Sequence, residues 1–197
     1  MEPGWESGCT SGDGIAVPDR VVFAIGDTGP GGGIVFSVSE DGTSGLEAAP
    51  VDQTDDAGVA WCNSLVNVVG VNNTASFTDD INSGSENTPL IRDTCGEDSA
   101  AGVAAAYIGP DGSTADWFLP NIQELLEMNS AIGPGCDVLA NPECNVGGFA
   151  TGFQTYWSSS DISFQRAWGS RIESTASSIR LTTFKTQMHR VRAIRRF

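Results

Sequence analysis

The distribution of charge along the chain constrains its fold more than any other feature of the sequence. Of the 197 residues, 25 are acidic and ten are basic, which gives a formal net charge of −15. Residues 1–165 hold 24 of the acidic side chains and two of the basic ones, whereas residues 166–197 hold eight basic side chains and one acidic one. Opposite charges attract most strongly where they are shielded from water. We therefore expect a C-terminal strand that forms ion pairs with carboxylates of its own domain.

Taken alone, the basic C-terminal segment could suggest a nucleic-acid partner. The acidic body argues against this class, because it would repel phosphates and tight binding requires many phosphate contacts. No apolar run approaches the roughly 18 residues of a membrane-spanning helix, so we expect no membrane insertion. The N-terminal MEPGWESGCTSGDG has neither the positive start nor the apolar core of a signal peptide. Either a signal lies outside this sequence or the protein leaves the cell without one, for example in a virus particle.

The five cysteines cannot all pair with one another. There is no C-x-x-C motif, and His189 is the only histidine, which argues against a Cys/His zinc site. Disulfides would indicate a location outside the cytosol, and buried free thiols are the alternative. Cys9 would be left over from two candidate disulfides, Cys62 with Cys95 and Cys136 with Cys144.

Motifs of catalysis and cofactor binding are absent from the sequence. It contains no G-x-S-x-G and no H-E-x-x-H, and the glycine-rich IGDTGPGGG matches neither the dinucleotide fingerprint nor the phosphate loop. Acidic clusters between residues 52 and 98 could hold a structural calcium ion, but their spacing differs from the helix-loop-helix calcium pattern. We expect solvated loop acids, no metal and no cofactor.

Local patterns predict short strands, two helices and long loops. Residues 21–24 and 34–36 flank the glycine-rich stretch and predict a hairpin. Within the helix-prone residues 88–106, the sequence at 95–98 breaks the pattern, and Asp98-Ser99 caps a small-residue helix. A second helix begins after Asn121, where Glu124 completes a capping box. Four further strands are predicted near the C-terminus: Thr155–Ser159, Ala167–Ile172, Ile179–Phe184 and Arg190–Phe197.

These elements indicate an α+β domain of short, twisted antiparallel strands over residues 21–197, preceded by an unpatterned arm or linker at 1–20. The last 42 residues, 156–197, alternate regular pieces with segments that follow neither the helical nor the strand period. Patterned framework around chemically mixed residues is typical of a binding surface on a rigid scaffold. The alternative is an irregular loop with a few apolar side chains.

Several short motifs, each weak alone, are together specific and extend over nearly the whole chain. With them the sequence resembles the Lcl C-terminal-type domain family, which has the fold of C-type lectins. Only residues 1–20 and the Cys136–Cys144 loop lie outside the resemblance. The motifs are Ala24–Phe36, Gly45–Pro50, Asp116–Pro120 with Glu124-Leu125, Gly147–Phe149, Tyr156–Ser160, Ala167-Trp168 and Arg190–Phe197.

The sequence departs from these relatives where they are rich in asparagine, between the Trp-Ser-Ser motif and the Arg-Val-Arg-Ala end. This departure looks like the variable proteins of diversity-generating retroelements, in which adenines of a template copy are randomised. Randomised asparagine codons give Ser, Thr, Ile, Arg, Leu and Phe among others. The resemblance implies a ligand-binding surface at about 162–188, formed by Ile162, Ser163, Phe164, Gln165, Arg166, Ser170, Arg171, Glu173, Ser177, Ile179, Arg180, Leu181, Thr183, Phe184 and Met188.

Some apolar residues of this tail could instead belong to the core. Ile179 and Leu181 share one face of a predicted strand and Phe184 leaves it, so we expect at least one of the three to be buried. Trp157 and Trp168 belong to the framework motifs, and we expect them in the core rather than as a ligand platform.

The resemblance implies a non-enzymatic display protein that attaches a phage or virus to its host, located on a virion tail or fibre or at a cell surface. Its partner would be a protein or glycan receptor on a target cell, and the N-terminal arm could join it to a larger fibre or a homo-oligomer. One alternative is an invariant bacterial adhesin module that binds glycans. Another is a formylglycine-generating-type enzyme, although the tail contains no cysteine.

Overall fold

The computed structural model describes residues 20–68, 70–71, 83–113, 116–134, 145–150, 152–172 and 178–197. Within these residues the chain is α+β, as the sequence indicates, with three small antiparallel sheets and three helices. The strands are β1 (Ile34–Val38), β2 (Gly45–Ala48), β3 (Val59–Ala60), β4 (Gln154–Asp161), β5 (Arg166–Ile172), β6 (Ser178–Phe184), β7 (Met188–His189) and β8 (Ile194–Arg196). The helices are α1 (Ser83–Cys95), α2 (Ala100–Ala105) and α3 (Ile122–Ile132).

The C-terminal segment connects all three sheets. β8 pairs with β2 in the sheet β1-β2-β8, and β7 pairs with β3. Between β7 and β8, Arg190 forms a parallel bridge with Tyr156 of β4, which belongs to the third sheet, β4-β5-β6. The strand predicted at 190–197 is therefore shorter than expected: residues 190–193 pass between the sheets, and only β8 is a strand within this range.

Two apolar clusters form the core, and β4 contributes to both. Tyr156 packs with Phe36, Leu125 and the rest of α3, whereas Trp157 packs with Trp61 and the residues around α1 and α2. Successive side chains of a strand point to opposite faces, so neighbouring residues of β4 enter different clusters. The third sheet is consequently packed on both sides near β4.

The predicted hairpin between residues 21–24 and 34–36 is only partly present, because Thr28 forms an antiparallel bridge with Ile34 across the glycine-rich turn but residues 21–24 form no strand. β1 pairs with β2 instead, from Ile34 opposite Ala48 to Val38 opposite Gly45. Val21 and Val22 remain 65% and 64% exposed, and only the half-buried Phe23 packs on the domain, against Phe197, so little burial of apolar surface would fix residues 21–24 as a strand. The glycine-rich stretch is a turn, as expected.

The glycine-rich turn wraps a buried carboxylate. Glu47 of β2 is fully buried and accepts hydrogen bonds from the backbone amides of Gly31, at 2.9 Å, and Gly33, at 2.8 Å. A Cβ atom on Gly33 would lie 2.6 Å from the carbonyl oxygen of Ala48, which is too close for any side chain. The turn needs small residues because its backbone must reach the carboxylate.

The described chain contains three helices rather than the two that we expected. Gly96, with a φ of +86°, follows Cys95 and separates α1 from α2, so the helix-prone stretch forms two elements. Ser99 caps α2 by accepting a hydrogen bond from the Gly102 amide. The capping box of Asn121 and Glu124 at α3 is confirmed. No helix of the described ranges is long and apolar enough to cross a membrane.

Glu124 makes the capping box sensitive to pH. Its Oε2 accepts the Asn121 amide at 2.7 Å, while Oε1 is buried without a hydrogen-bond partner in the described chain and lies 3.8 Å from Arg196 Nη2. Burial raises the pKa of Glu124 from 4.5 to about 7. The folded state therefore binds the Glu124 proton more tightly than the unfolded state does. The free energy of unfolding gains a contribution from this proton below pH 4.5, and it loses that contribution as the pH rises to about 7.

We expect Glu124→Gln to remove this pH dependence and to keep the cap, because glutamine also serves in a capping box. One pKa unit corresponds to about 1.4 kcal/mol, so the stability of the variant relative to the unsubstituted protein should rise by about 2–3 kcal/mol between pH 5 and pH 8. Urea unfolding at both pH values measures this difference. Burial lowers the pKa of His189 to about 4, which acts in the opposite direction, but it affects both proteins equally. A stability difference between the variant and the unsubstituted protein that is the same at pH 5 and pH 8 would contradict the prediction.

Candidate ligand-binding surface

The predicted surface lies on the turn after β4, on β5 and β6, and just beyond β6. Residues 162–165 form a tight turn, in which the amides of Ile162 and Ser163 both donate to the Arg166 carbonyl oxygen at 3.1 Å. Phe164 stands in this turn with 48% of its surface exposed. The unpatterned residues are therefore presented by a hairpin and its neighbouring strand.

β5 and β6 pair over their full lengths, from Arg166 opposite Phe184 to Ile172 opposite Ser178. Directly opposed residues share a face of the sheet, so the register assigns each side chain to one of two faces. The first face carries Arg166, Trp168, Ser170, Arg180, Thr182 and Phe184. The second face carries Ala167, Gly169, Arg171, Ile179, Leu181 and Thr183.

On the first face, two guanidinium groups stack on two aromatic rings. Arg166 lies 4.1 Å from the centroid of Phe184, and its Nη1 donates to the Thr182 carbonyl oxygen at 3.2 Å. Arg180 lies 4.5 Å from the centroid of Trp168, whose ring also packs against the cluster around α3. Contacts of this kind contribute about 0.5–1 kcal/mol each at exposed sites. We call these four residues the guanidinium–aromatic ladder.

The second face combines apolar and basic side chains. Arg171 lies 5.4 Å from the ring centroid of Phe153, while Ile179 is exposed and Leu181 half-buried. Phe153, which precedes β4 and is 72% exposed, was not among the predicted site residues. In the sequence, only its place directly after Gly152 and before the predicted strand could have indicated an exposed aromatic side chain.

Four of the predicted assignments need correction. Ser170 is fully buried. It lies on the central strand of its sheet, between Tyr156 of β4 and Arg180 of β6. Thr183 is buried too, and its hydroxyl contacts Gln187 Oε1 and His189 Nε2. Neither can contact a ligand in this conformation.

The expectation that Ile179, Leu181 or Phe184 would be buried is also wrong, because β6 is the last strand of its sheet in the described chain and all three remain at least partly exposed. Trp168 is half-buried rather than a core residue, unlike Trp157, which is fully buried. Met188 is 55% exposed, and Glu173 and Ser177 lie outside the described residues.

A buried ion pair fixes both ends of the surface segment. Asp161 is the last residue of β4, Lys185 follows β6, and Lys185 Nζ lies 2.7 Å from Asp161 Oδ2. The same ammonium group donates to the Val66 carbonyl oxygen at 2.7 Å and lies 4.3 Å from the ring centroid of Trp61. Burial lowers the pKa of Lys185, and the carboxylate of Asp161 opposes this shift. The chain between these two residues therefore begins and ends at fixed points.

The basic residues beyond Lys185 form the internal ion pairs that the charge distribution predicted. Arg190 contacts Asp52 and Asp56, and Arg192 is fully buried with its Nε 2.8 Å from Asp52 Oδ1. Arg192 also donates to the carbonyl oxygens of Ala49 and Gly147 and lies 4.3 Å from the ring centroid of Phe149. Arg195 pairs with Asp111 at 3.0 Å. These side chains belong to the framework and not to the surface.

Other candidate chemistry lies away from this surface. Cys62 and Cys95 form a disulfide, the pair chosen from the sequence, while Cys9, Cys136 and Cys144 lie outside the described residues. Within the described ranges, no group of three or more His, Cys, Asp or Glu side chains could hold a metal ion. A cavity of about 470 Å³ lies on the framework, lined by residues of α1 and α2 together with Asp116, Trp117, Phe118 and Arg196.

Comparison with known proteins does not add to this description. No protein-family model matches the chain, and no curated protein matches it significantly.

We expect Asp161→Asn to destabilise the protein by about 3–5 kcal/mol, because it leaves the buried ammonium group of Lys185 without its counter-charge. The double variant Asp161→Asn, Lys185→Met should recover much of this loss, since it removes the charge that needs a partner. Urea unfolding measures both values. As a control, Arg92→Gln breaks the exposed pair of Arg92 with Glu97 and should change stability little. Equal stability of the single and double variants would contradict the prediction.

Proposed function

We propose that this protein is a non-enzymatic ligand-binding display protein with a C-type lectin fold, whose tail is diversified by a retroelement for attachment of a phage or virus to its host. The observation that carries the proposal is the position of the unpatterned segment. Apart from Met188, the described residues that depart from the asparagine-rich family pattern occupy a turn and two paired strands, between the buried residues Asp161 and Lys185. Sequence change there would leave the framework contacts in place.

The α+β architecture supports the fold proposed from the motifs. The strand that contains the C-terminal motif pairs with β2, which contains the Gly45–Pro50 motif, and Phe118 of the Trp-Phe-Leu-Pro motif bridges Ile194. The motifs that carry the family resemblance thus contact one another in the framework. Residues of a family-specific framework are expected to do so, whereas motifs shared by chance would be scattered.

The surface has the composition of a protein-binding patch. Exposed Phe164, Phe184 and Met188 supply apolar area, and Arg166 and Arg180 add planar hydrogen-bond donors. Because the strands are held by the sheet, binding would cost little ordering entropy. Weak single contacts would become effective through multivalent display on a tail or fibre. The target would be a protein or glycan receptor on the host surface.

We expect copies of the gene from one population to differ mainly in the codons for residues 162–188, at positions that match adenines of a nearby template repeat. Codons of framework residues such as Trp157, Trp168 and Arg192 should not vary. Sequencing the gene from many isolates measures this distribution. A tail that varies no more than the framework would contradict the proposal and favour the adhesin that binds glycans through an invariant surface.

We expect the triple variant Phe164→Ala, Arg171→Ala, Phe184→Ala to lose binding without losing its fold. Exposed substitutions usually change stability by about 0.5 kcal/mol each, so with the loss of two cation–π contacts, Arg166 with Phe184 and Arg171 with Phe153, the total should not exceed about 3.5 kcal/mol. Peptides enriched from a random library against the unsubstituted protein should lose affinity for this variant, and urea unfolding should show the small change in stability.

A control variant replaces two exposed apolar residues and one exposed arginine of the framework, Val51, Leu65 and Arg20, with alanine. It should retain binding of the same peptides. A collapse in stability of the first variant would show that its residues belong to the core, and loss of binding in both variants would show that the ligand surface lies elsewhere.

A further inference from the structure

We propose that the framework cavity between α1, α2 and β8 binds a small molecule that carries one carboxylate on an aromatic body. The cavity shares no residue with the guanidinium–aromatic ladder or with residues 162–188, so this inference does not depend on the proposed function. Three features of the cavity support it: its apolar walls, a guanidinium group without a hydrogen bond, and the acidic charge that surrounds that group.

The cavity has the size and the walls of a small-molecule site. Its volume is about 470 Å³. Such sites measure roughly 300–1,000 Å³ and are mostly apolar, with a few polar groups that orient the ligand. The apolar part of the lining is formed by Pro89 of α1, Ala105 of α2, Trp117 and Phe118. Trp117 and Phe118 are 3% and 4% exposed, so the framework holds both rings in place before a ligand binds.

Two polar side chains of the lining already have partners. Thr88 Oγ1 donates to the Gly84 carbonyl oxygen at 2.7 Å and accepts the Leu119 amide at 3.0 Å. Arg92 lies against Glu97, with both Nε and Nη2 at 2.8 Å from Oε1. These side chains help to enclose the cavity, but their hydrogen bonds within the protein leave the choice of ligand charge to another group.

Arg196 is the group that selects the charge of the ligand. Its backbone is fixed opposite Leu46 by the pairing of β8 with β2, and its side chain is 41% exposed. Within the described ranges its guanidinium group makes no hydrogen bond, and its nearest acid is Glu124, with 3.8 Å between Nη2 and Oε1. Because no hydrogen bond fixes it, the guanidinium group can turn toward a ligand in the cavity that it lines. Arginine binds carboxylates through charge-assisted hydrogen bonds, which a ligand carboxylate would complete.

Glu124 is poorly placed to take these hydrogen bonds itself. Its side chain is fully buried, and its Oε2 accepts the Asn121 amide at 2.7 Å in the capping box of α3. A shorter distance to Arg196 would require the carboxylate to leave the cap, or the half-exposed guanidinium group to be buried. The second change costs desolvation free energy. The donors of Arg196 therefore remain available to an acceptor that enters from the cavity.

The surrounding charge restricts the ligand to one carboxylate. Asp116 also lines the cavity and is exposed, and the whole protein carries a net charge of −15. Arg196 would neutralise the first negative charge of a ligand, whereas a second one would meet Asp116 and a body of like charge. Nucleotides and other polyanions are thus disfavoured. A neutral aromatic molecule would fit the walls but would leave Arg196 without a counter-charge.

Ligand-observed NMR titration of the full chain with three probes tests the proposal. Phenylacetate has one carboxylate on an aromatic body, phenylacetamide is its neutral counterpart, and acetate lacks the aromatic body. We expect phenylacetate to bind and phenylacetamide to bind about tenfold more weakly, because the amide forms no charge-assisted hydrogen bond. Acetate should show no binding at the same concentrations. Equal affinity for phenylacetate and phenylacetamide, or no binding of phenylacetate, would overturn the proposal.

Variants of the protein locate this binding. Arg196→Gln should weaken binding of phenylacetate about tenfold and that of phenylacetamide by about twofold at most, so retained binding of the amide shows that the variant is folded. Ala105→Leu places a larger side chain in the cavity and should weaken binding of both probes. As a control, Arg20→Gln removes the same charge elsewhere on the framework and should leave both affinities unchanged. Equal effects of the two arginine substitutions, or unchanged binding by Ala105→Leu, would show that the probe binds elsewhere and overturn the proposal.

This binding can fail or succeed independently of the proposed function. If phenylacetate binds as expected but the tail is invariant among gene copies, the cavity site is supported and the diversified display protein is not. If the tail varies and phenylacetate does not bind, the cavity site alone is wrong.

Discussion

The fold depends on one largely buried carboxylate, that of Asp52, whose side chain is 10% exposed. Asp52 accepts the hydroxyl of Tyr156 on β4 at 2.8 Å and the guanidinium groups of Arg190 and Arg192, so it joins a loop of the N-terminal half to two elements of the C-terminal half. Arg190 is 138 residues away from it in the sequence. Such a cluster repays the cost of removing charges from water only if every group has a partner. The contrast between the acidic body and the basic tail is thus a requirement of folding, and nucleic acid is not needed to explain it.

Local features of this fold could be predicted from the sequence, and pairings distant in sequence could not. The capping box of Asn121 and Glu124, the strands β5 and β6, and the internal use of the C-terminal arginines follow from residue types at fixed spacing. The partner of β1 does not, because the run at 21–24, Val-Val-Phe-Ala, is more apolar than β2, Gly-Leu-Glu-Ala, and lies nearer to β1 in the sequence. The turn around Glu47 decides between them, and that contact depends on the tertiary structure.

The candidate site shows the same limit in more detail. The sequence proposes a segment for the surface but does not tell its two faces apart, because alternation along a strand shows which residues share a face and not which face is exposed. Ser170, which is paired on both sides by β4 and β6, and Thr183, which lies against His189, are buried within this segment. Phe153 was missed because its exposure depends on the conformation at the start of β4, where its φ is +68°.

Trp168 explains how a fixed framework can serve a changing surface. It belongs to a motif that carries the proposed family resemblance, yet it is only half-buried, with its ring against the α3 cluster and Arg180 over it. Position 180 lies in the segment proposed to vary. Any residue there would meet the same indole ring, which accommodates an apolar, aromatic or cationic side chain equally well. Diversification at this position would therefore change the chemistry presented to a ligand, while the ring beneath it keeps the new side chain packed and the strand in register.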